Sequence, residues 1–216
     1  YLMQKINKLF VYLFLLLFIV ACDNTSKWKT QAPADQNSES KDLSPYEKQI
    51  AHIRDSTSAM FLSGANGVLE KGDISKIGTL HYFPVNEKYR VRAAFTAIEN
   101  GEVFEMQTST DRLPEYRRFG KLGFEIQGQE LVLTLYQNVE QPDYLFLPFK
   151  DLTNGKKSYG AGRYLDFKLA DLKEPIIDFN LAYNPYCAYN KDFSCPIPPR
   201  ENHLAIALPA GEKKWH

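Results

Sequence analysis

The side chains with chemical potential are concentrated in residues 151–212. Arg163 opens a run of alternating character directly after Gly160-Ala161-Gly162, which sets a guanidinium beside backbone amides. That combination binds anions. The same side chain equally suits a buried ion pair with Asp151, Asp166 or Asp178. The glycine pair matches neither a phosphate loop nor a dinucleotide fingerprint. Asp178 and Asn180 are two apart, so on a strand they share one face, opposite Ile177 and Phe179. Either they aim a carboxylate and an amide into a pocket, or they bond the backbone amides of the proline-rich stretch 183–199. Tyr183, Asn184 and Asn202 complete this polar focus. Asp151, Asp166, Asp178, Glu201 and Glu212 supply carboxylates, and a carboxylate pair held about 5–9 Å apart can hydrolyse a glycoside. Only four histidines are present, His52, His81, His203 and His216, and neither a Gly-x-Ser-x-Gly elbow nor a His-Glu-x-x-His helix occurs. No metal site and no cofactor are implied.

Cys187 and Cys195 are eight residues apart, and His203 follows after another eight. This spacing does not fit zinc ligation, and no histidine is near enough in sequence to activate a nucleophilic thiol. A disulfide and a pair of buried free thiols remain. In an oxidising exported compartment a disulfide between Cys187 and Cys195 is the expectation, worth at most roughly 2–3 kcal/mol for so short a loop.

Several of these stretches together resemble one family. They are the Gly160 to Asp166 glycine-arginine-tyrosine stretch, Asp178-Phe179-Asn180 with Ala182-Tyr183-Asn184-Pro185, Cys195-Pro196-Ile197-Pro198-Pro199, and Glu201-Asn202 before an apolar run. Over roughly residues 45–215 the chain resembles the bacterial domain-of-unknown-function family 1684, in a short lipoprotein form. The resemblance implies no settled activity and assigns no catalytic residue.

The elements that position these residues follow from periodicity. Ser44-Pro45-Tyr46-Glu47 combines a capping residue, a first-turn proline and a capping-box glutamate. Tyr46, Ile50, Ile53, Thr57 and Met60 then recur at helical spacing, which predicts a helix ending near Leu62 with this stripe packed in the core. From about residue 80 the period becomes two. Val91, Ala93, Phe95 and Ala97 lead to Asn100-Gly101, a hairpin signal, with Phe104, Met106 and Thr108 on the returning strand. Leu122, Phe124 and Ile126 turn at Gly128 into Leu131, Leu133 and Leu135. Residues 144–149 form a strand that Pro148 pushes to an edge or an end. Arg163, Leu165, Phe167 and Leu169 alternate again, followed by Ile177, Phe179 and Leu181, and by Leu204, Ile206 and Leu208. The fold expected is mainly β, an antiparallel β-sandwich or barrel of about eight to ten strands with one N-terminal amphipathic helix.

The N-terminus is of another kind. Lys5 and Lys8 precede the apolar run 9–21, which is too short to span a bilayer but has signal-peptide length. Its end, Phe18-Ile19-Val20-Ala21-Cys22-Asp23, resembles a lipobox, implying cleavage after Ala21 and diacylglycerol on the Cys22 sulfur. The domain plan is therefore a lipoprotein signal peptide over 1–21, lipidated Cys22 with a disordered tether over 22–43, and one β-rich domain over 44–216. A tether of that composition reaches about 25 Å.

The 216 residues carry no net charge, which argues against nucleic acid as a partner. Losing Lys5 and Lys8 leaves the remainder slightly acidic, so anchoring rests on the lipid. The expected localisation is the cell envelope, facing the periplasm or the cell exterior. The functional reading is a lipid-anchored module that binds a small molecule or an envelope partner near Arg163, Asp178, Asn180, Tyr183, Asn184 and Asn202. The alternatives are an envelope hydrolase using carboxylates on a glycan or ester, and a purely structural lipoprotein.

Overall fold

The computed structural model describes residues 42–64, 67–69 and 79–215. The signal-like segment 1–21, Cys22 and nearly all of the tether lie outside the described residues. A helix, α1 (Pro45–Leu62), begins where the sequence places it: Ser44 Oγ accepts from the Glu47 amide at 3.1 Å, and Glu47 Oε2 accepts from the Ser44 amide at 2.8 Å. This reciprocal bonding satisfies two amides that a helix start leaves without partners. The buried stripe is not quite the expected one. Ile50, Ser58 and Phe61 go in, while Ile53 and Met60 stay exposed.

The rest of the chain is mainly antiparallel β. Its strands are β1 (Arg90–Ala97), β2 (Val103–Glu105), β3 (Glu115–Ile126), β4 (Gln129–Asn138), β5 (Tyr144–Phe149), β6 (Arg163–Lys168) and β7 (Ile176–Asp178). They form a curled, half-barrel sheet in the order β6-β5-β4-β3-β1-β7, with β2 also paired to β3. The β3–β4 hairpin turns at Gln127 and Gly128, both with positive φ, the geometry that matches strand twist.

The Asn100-Gly101 signal does something different. β1 pairs with Gly120 to Phe124 of β3, and β2 pairs with Glu115 to Arg117 of the same strand. The two therefore run in one direction, end to end, and the chain does not reverse between them. Gly101 lies directly against the Arg118 carbonyl, where a Cβ would collide, so the glycine serves a close approach and not a hairpin.

Between Arg118 and Gly120 the β3 register shifts. A bulge of this kind exchanges the two faces of a strand. Tyr116 consequently packs with Met106, Tyr136, Phe146 and Tyr164, whereas Leu122, Phe124 and Ile126 join the main core. The main core continues through Leu133, Leu135, Leu145, Leu147, Phe149, Leu165, Phe167, Ile177 and Phe179. The run Leu204, Ile206 and Leu208 is buried against it as expected, but it crosses the core as an extended segment outside the named strands, hydrogen-bonded to Lys150 and Leu152. β7 also stops early, at Asp178, which accepts from the Asn180 amide at 3.0 Å and starts a 3-10 turn over Phe179–Leu181. Leu181 is accordingly exposed.

Pro148 lies inside the sheet without cost. β4 and β5 pair only at Tyr136 with Phe146 and at Gln137 with Leu145, so beyond that point the strands have splayed. Asn202 fills the gap. Its Oδ1 accepts from the Thr134 amide at 2.8 Å, and its Nδ2 donates to the Thr134 and Pro148 carbonyls at 2.9 and 2.7 Å.

Candidate functional site

The polar residues singled out in the sequence fall into two groups. Arg163, Asp178, Asn180 and Asn202 are given to the fold. Alternation along β6 sends Arg163 to the core side with Leu165 and Phe167, where it is completely buried. Its Nη2 donates to Asp151 Oδ2 at 2.7 Å and to the Leu208 carbonyl at 2.9 Å, and its Nη1 donates to the Ala210 carbonyl. Asp151 uses its other oxygen on the Thr153 and Leu208 amides. The ion-pair alternative is thus the geometry found, and it ties the C-terminal segment to β6. Asp178 accepts from Tyr46 Oη at 2.9 and 2.8 Å. Asn180 bonds the Asn86 amide and carbonyl and Tyr46 Oη. The pair anchors α1 and the turn at Asn86, not the 183–199 stretch expected from sequence.

Cys187 and Cys195, expected as a disulfide, are free thiols in the structure. The 3-10 turn Tyr186–Ala188 directs the Cys187 amide onto Cys195 Sγ at 3.1 Å, and Cys187 Sγ contacts Tyr159 Oη at 3.7 Å. The Cys195 thiol holds the Cys187 thiol down at about 6, and the Cys195 thiol is itself pushed up.

The second group meets on the opposite face of the sheet. On β6, Tyr164 and Asp166 point away from Arg163 and Leu165, and across the ladder Asp166 pairs with Phe146 and Tyr164 with Pro148. Tyr144 and Phe146 share that face. Backbone bonds of 2.9 and 3.1 Å between Tyr164 and Tyr183 lay the segment after the 3-10 turn along β6. Tyr183 Oη then donates to Asp166 at 2.8 and 3.0 Å, and Tyr144 Oη donates to Asp166 Oδ1 at 2.7 Å. Burial and then the Asp166 charge raise both phenols well above their ordinary value, which keeps them protonated donors. The Asp166 side chain is exposed and has no cationic partner among the described residues.

This face opens into a cleft of about 630 Å³. Its walls are the tyrosine face, Asn184 to Tyr186, Ser194 to Pro196, and the α1 residues Ile53, Thr57 and Met60. Helical spacing assigned that α1 stripe to the core. It is apolar because it lines a cleft, and periodicity alone does not tell one from the other. Asn184 is buried there. Its Nδ2 donates to the Lys213 carbonyl at 2.7 Å, but its Oδ1 has no partner.

Glu212 also lines the cleft and is almost fully buried. It accepts from the Asn184 amide at 2.8 Å and from Tyr189 Oη. Burial raises its carboxyl to about 8, against the opposing pull of the Asn184 amide and the Arg163 charge. In the unfolded chain the group titrates near 4.5. Between these values the folded protein holds a proton that the unfolded chain has released. The contribution to stability is therefore complete below about 4.5, declines as pH rises to about 8, and is flat beyond. Glu212→Gln should flatten the fall in urea midpoint across that range, and a variant that keeps the wild-type slope would show that another group is responsible.

Asp166, Tyr144 and Tyr164 were absent from the polar focus read in the sequence; Tyr183 and Asn184 were present. Alternation through Tyr164-Leu165-Asp166-Phe167 does put tyrosine and aspartate on the non-core face. The pairing of Tyr183 with β6, which completes the site, carries no sequence signal.

Residues 76–213 match the model of a family described as protein of unknown function (DUF1684). The solution NMR structure of the uncharacterized protein from gene locus rrnAC0354 of Haloarcula marismortui is similar over 78% of this chain and 94% of its own. It shares 35% sequence identity and gives a TM-score of 0.62. No curated protein matches the chain.

Proposed function

The chain belongs to the DUF1684 family of proteins of unknown function, and we propose that this member is a lipid-anchored envelope module that binds a small ligand in the tyrosine-lined cleft. The anchor rests on the lipobox-like sequence ending at Ala21-Cys22. One observation carries the binding reading. Asp166 is a solvent-open carboxylate oriented by two tyrosine hydroxyls at the mouth of an apolar cleft, and no described cation neutralises it. A few placed polar groups in an otherwise apolar concavity is the usual composition of a ligand site. Tyr183 and Asn184 keep the role the sequence suggested, whereas Arg163, Asp178, Asn180 and Asn202 hold the walls in place.

Asp166→Asn is the test. The amide retains an oxygen for the tyrosine donors and removes the charge from an exposed position, so stability should change by no more than about 0.5 kcal/mol. Ligand binding in the cleft should be lost or strongly weakened. A variant that binds like wild type would remove Asp166 from the site.

Glu212 favours a second reading. A carboxyl raised to about 8 stays protonated at neutral pH, and it lines the same cleft as Asp166. Glycoside hydrolysis uses a protonated acid and a second carboxylate in one cleft, about 5–9 Å apart. Turnover of a glycan or ester that Glu212→Gln abolishes in a folded protein would establish that reading over simple binding.

A further inference from the structure

We propose that the cleft selects an organic ammonium ion, a cation whose charge is spread over alkyl groups. This rests on the reading of the cleft as a ligand site and adds the chemistry of the ligand.

The cleft lining includes a charged acceptor, an orphaned neutral acceptor and several π-systems. Asp166 carries a full charge, and its two hydrogen-bond donors are neutral phenols. Asn184 Oδ1 is a second acceptor, buried and without a partner. Its identity as oxygen is fixed by Nδ2, which donates to the Lys213 carbonyl. The hydroxyl of an amino alcohol can satisfy an orphan oxygen, whereas an anion would only add to its cost.

Arg54 is the cationic side chain that lines the cleft, and it is occupied elsewhere. Its Nη1 and Nη2 donate to the Phe83 and Asn180 carbonyls at 2.9 and 3.0 Å. Its guanidinium lies 4.6 Å from the Tyr82 ring centre, and its Nε is buried without a hydrogen-bond partner. An anionic ligand would meet a guanidinium whose two terminal nitrogens are already bonded to backbone carbonyls.

The aromatic walls meet at nearly right angles. Tyr164 and Tyr183 cross at 89° with centroids 5.8 Å apart, and Phe146 and Tyr164 cross at 78° with centroids 4.7 Å apart. Aromatic faces carry the negative part of the ring quadrupole and attract a diffuse cation. Ile53, Met60 and Leu181 continue the lining as apolar surface for the alkyl groups. A small, strongly hydrated metal ion would gain nothing from such a wall.

The experiment is calorimetric titration of the full chain with choline and with its uncharged isostere, 3,3-dimethylbutan-1-ol. Choline should bind at least about tenfold more tightly, and Asp166→Asn should remove the preference while leaving the neutral isostere unaffected. Equal binding of the two compounds, or a preference that survives Asp166→Asn, would overturn the ammonium assignment and leave the cleft as a site for another ligand. If neither compound nor any other small molecule binds at the cleft, the binding reading itself falls. Phosphatidylcholine vesicles distinguish the source of the cation. Vesicles that displace choline identify a lipid headgroup, and vesicles that do not identify a free solute.

Discussion

Replacing Arg163 by methionine should lower the stability of the folded domain by about 3–5 kcal/mol, the usual cost of removing one member of a buried ion pair. The reason is the charge left behind. Asp151 Oδ2 has Arg163 Nη2 as its cationic partner at 2.7 Å, and both side chains are fully buried. The Leu208 and Ala210 carbonyls would lose their donor at the same time. Those carbonyls belong to the segment that closes the core behind Leu204, Ile206 and Leu208. Loss of Arg163 should therefore loosen the C-terminal segment before the sheet. The double change Arg163→Met with Asp151→Leu should recover part of the loss, because it removes the orphaned carboxylate along with its partner. Urea unfolding of the wild type and the two variants gives the comparison. A single-variant loss below about 1 kcal/mol would mean that the pair contributes no more than a surface contact.

Asn202→Ala should cost about 3 kcal/mol, because it strands the Thr134 amide, the Thr134 carbonyl and the Pro148 carbonyl in a buried gap. β4 and β5 have no ladder of their own at this point. Amide exchange at Thr134 should rise by more than exchange at Leu145, whose strand neighbours remain paired. Asn202→Asp should be as damaging as alanine, since a carboxylate keeps one acceptor and sets its other oxygen against two carbonyls. Wild-type stability in either variant would show that water can take the place of this amide.

These two side chains also mark how far the sequence could be read. The helix start was legible to the residue, because Ser44, Pro45 and Glu47 act through local bonding that needs no tertiary partner. The β3–β4 hairpin was legible for the same reason. Asn100-Gly101 misled, because the local turn signal was overridden by β3, a strand long enough to receive β1 and β2 in sequence along one edge. Arg163 was legible as an ion pair, and alternation put it on the core side of β6, but its choice of Asp151 over Asp166 and Asp178 depended on tertiary placement. Asn180 and Asn202 read as candidate ligand groups because a buried amide that replaces missing backbone hydrogen bonds has the same composition as one that waits for a ligand. The α1 stripe of Ile53, Thr57 and Met60 read as core because a cleft wall and a core wall have the same period. Asp166 reads in the sequence only as one of several carboxylates, because its significance comes from Tyr183, seventeen residues away and brought alongside by two backbone bonds.

The proposed working surface is the tyrosine face of the sheet around Asp166, while the buried polar motifs hold the scaffold. Mapping the backbone amide resonances of the isotope-labelled full chain during titration with small cationic, neutral and glycan compounds tests it most directly. Cationic compounds that bind should shift the resonances of Tyr144, Asp166, Tyr183 and Asn184 together, and Asp166→Asn should suppress those shifts without altering the dispersion of the spectrum. Binding that maps to the surroundings of Arg163 and Asn202, or cleft shifts from a cationic compound that are identical in Asp166→Asn, would contradict it.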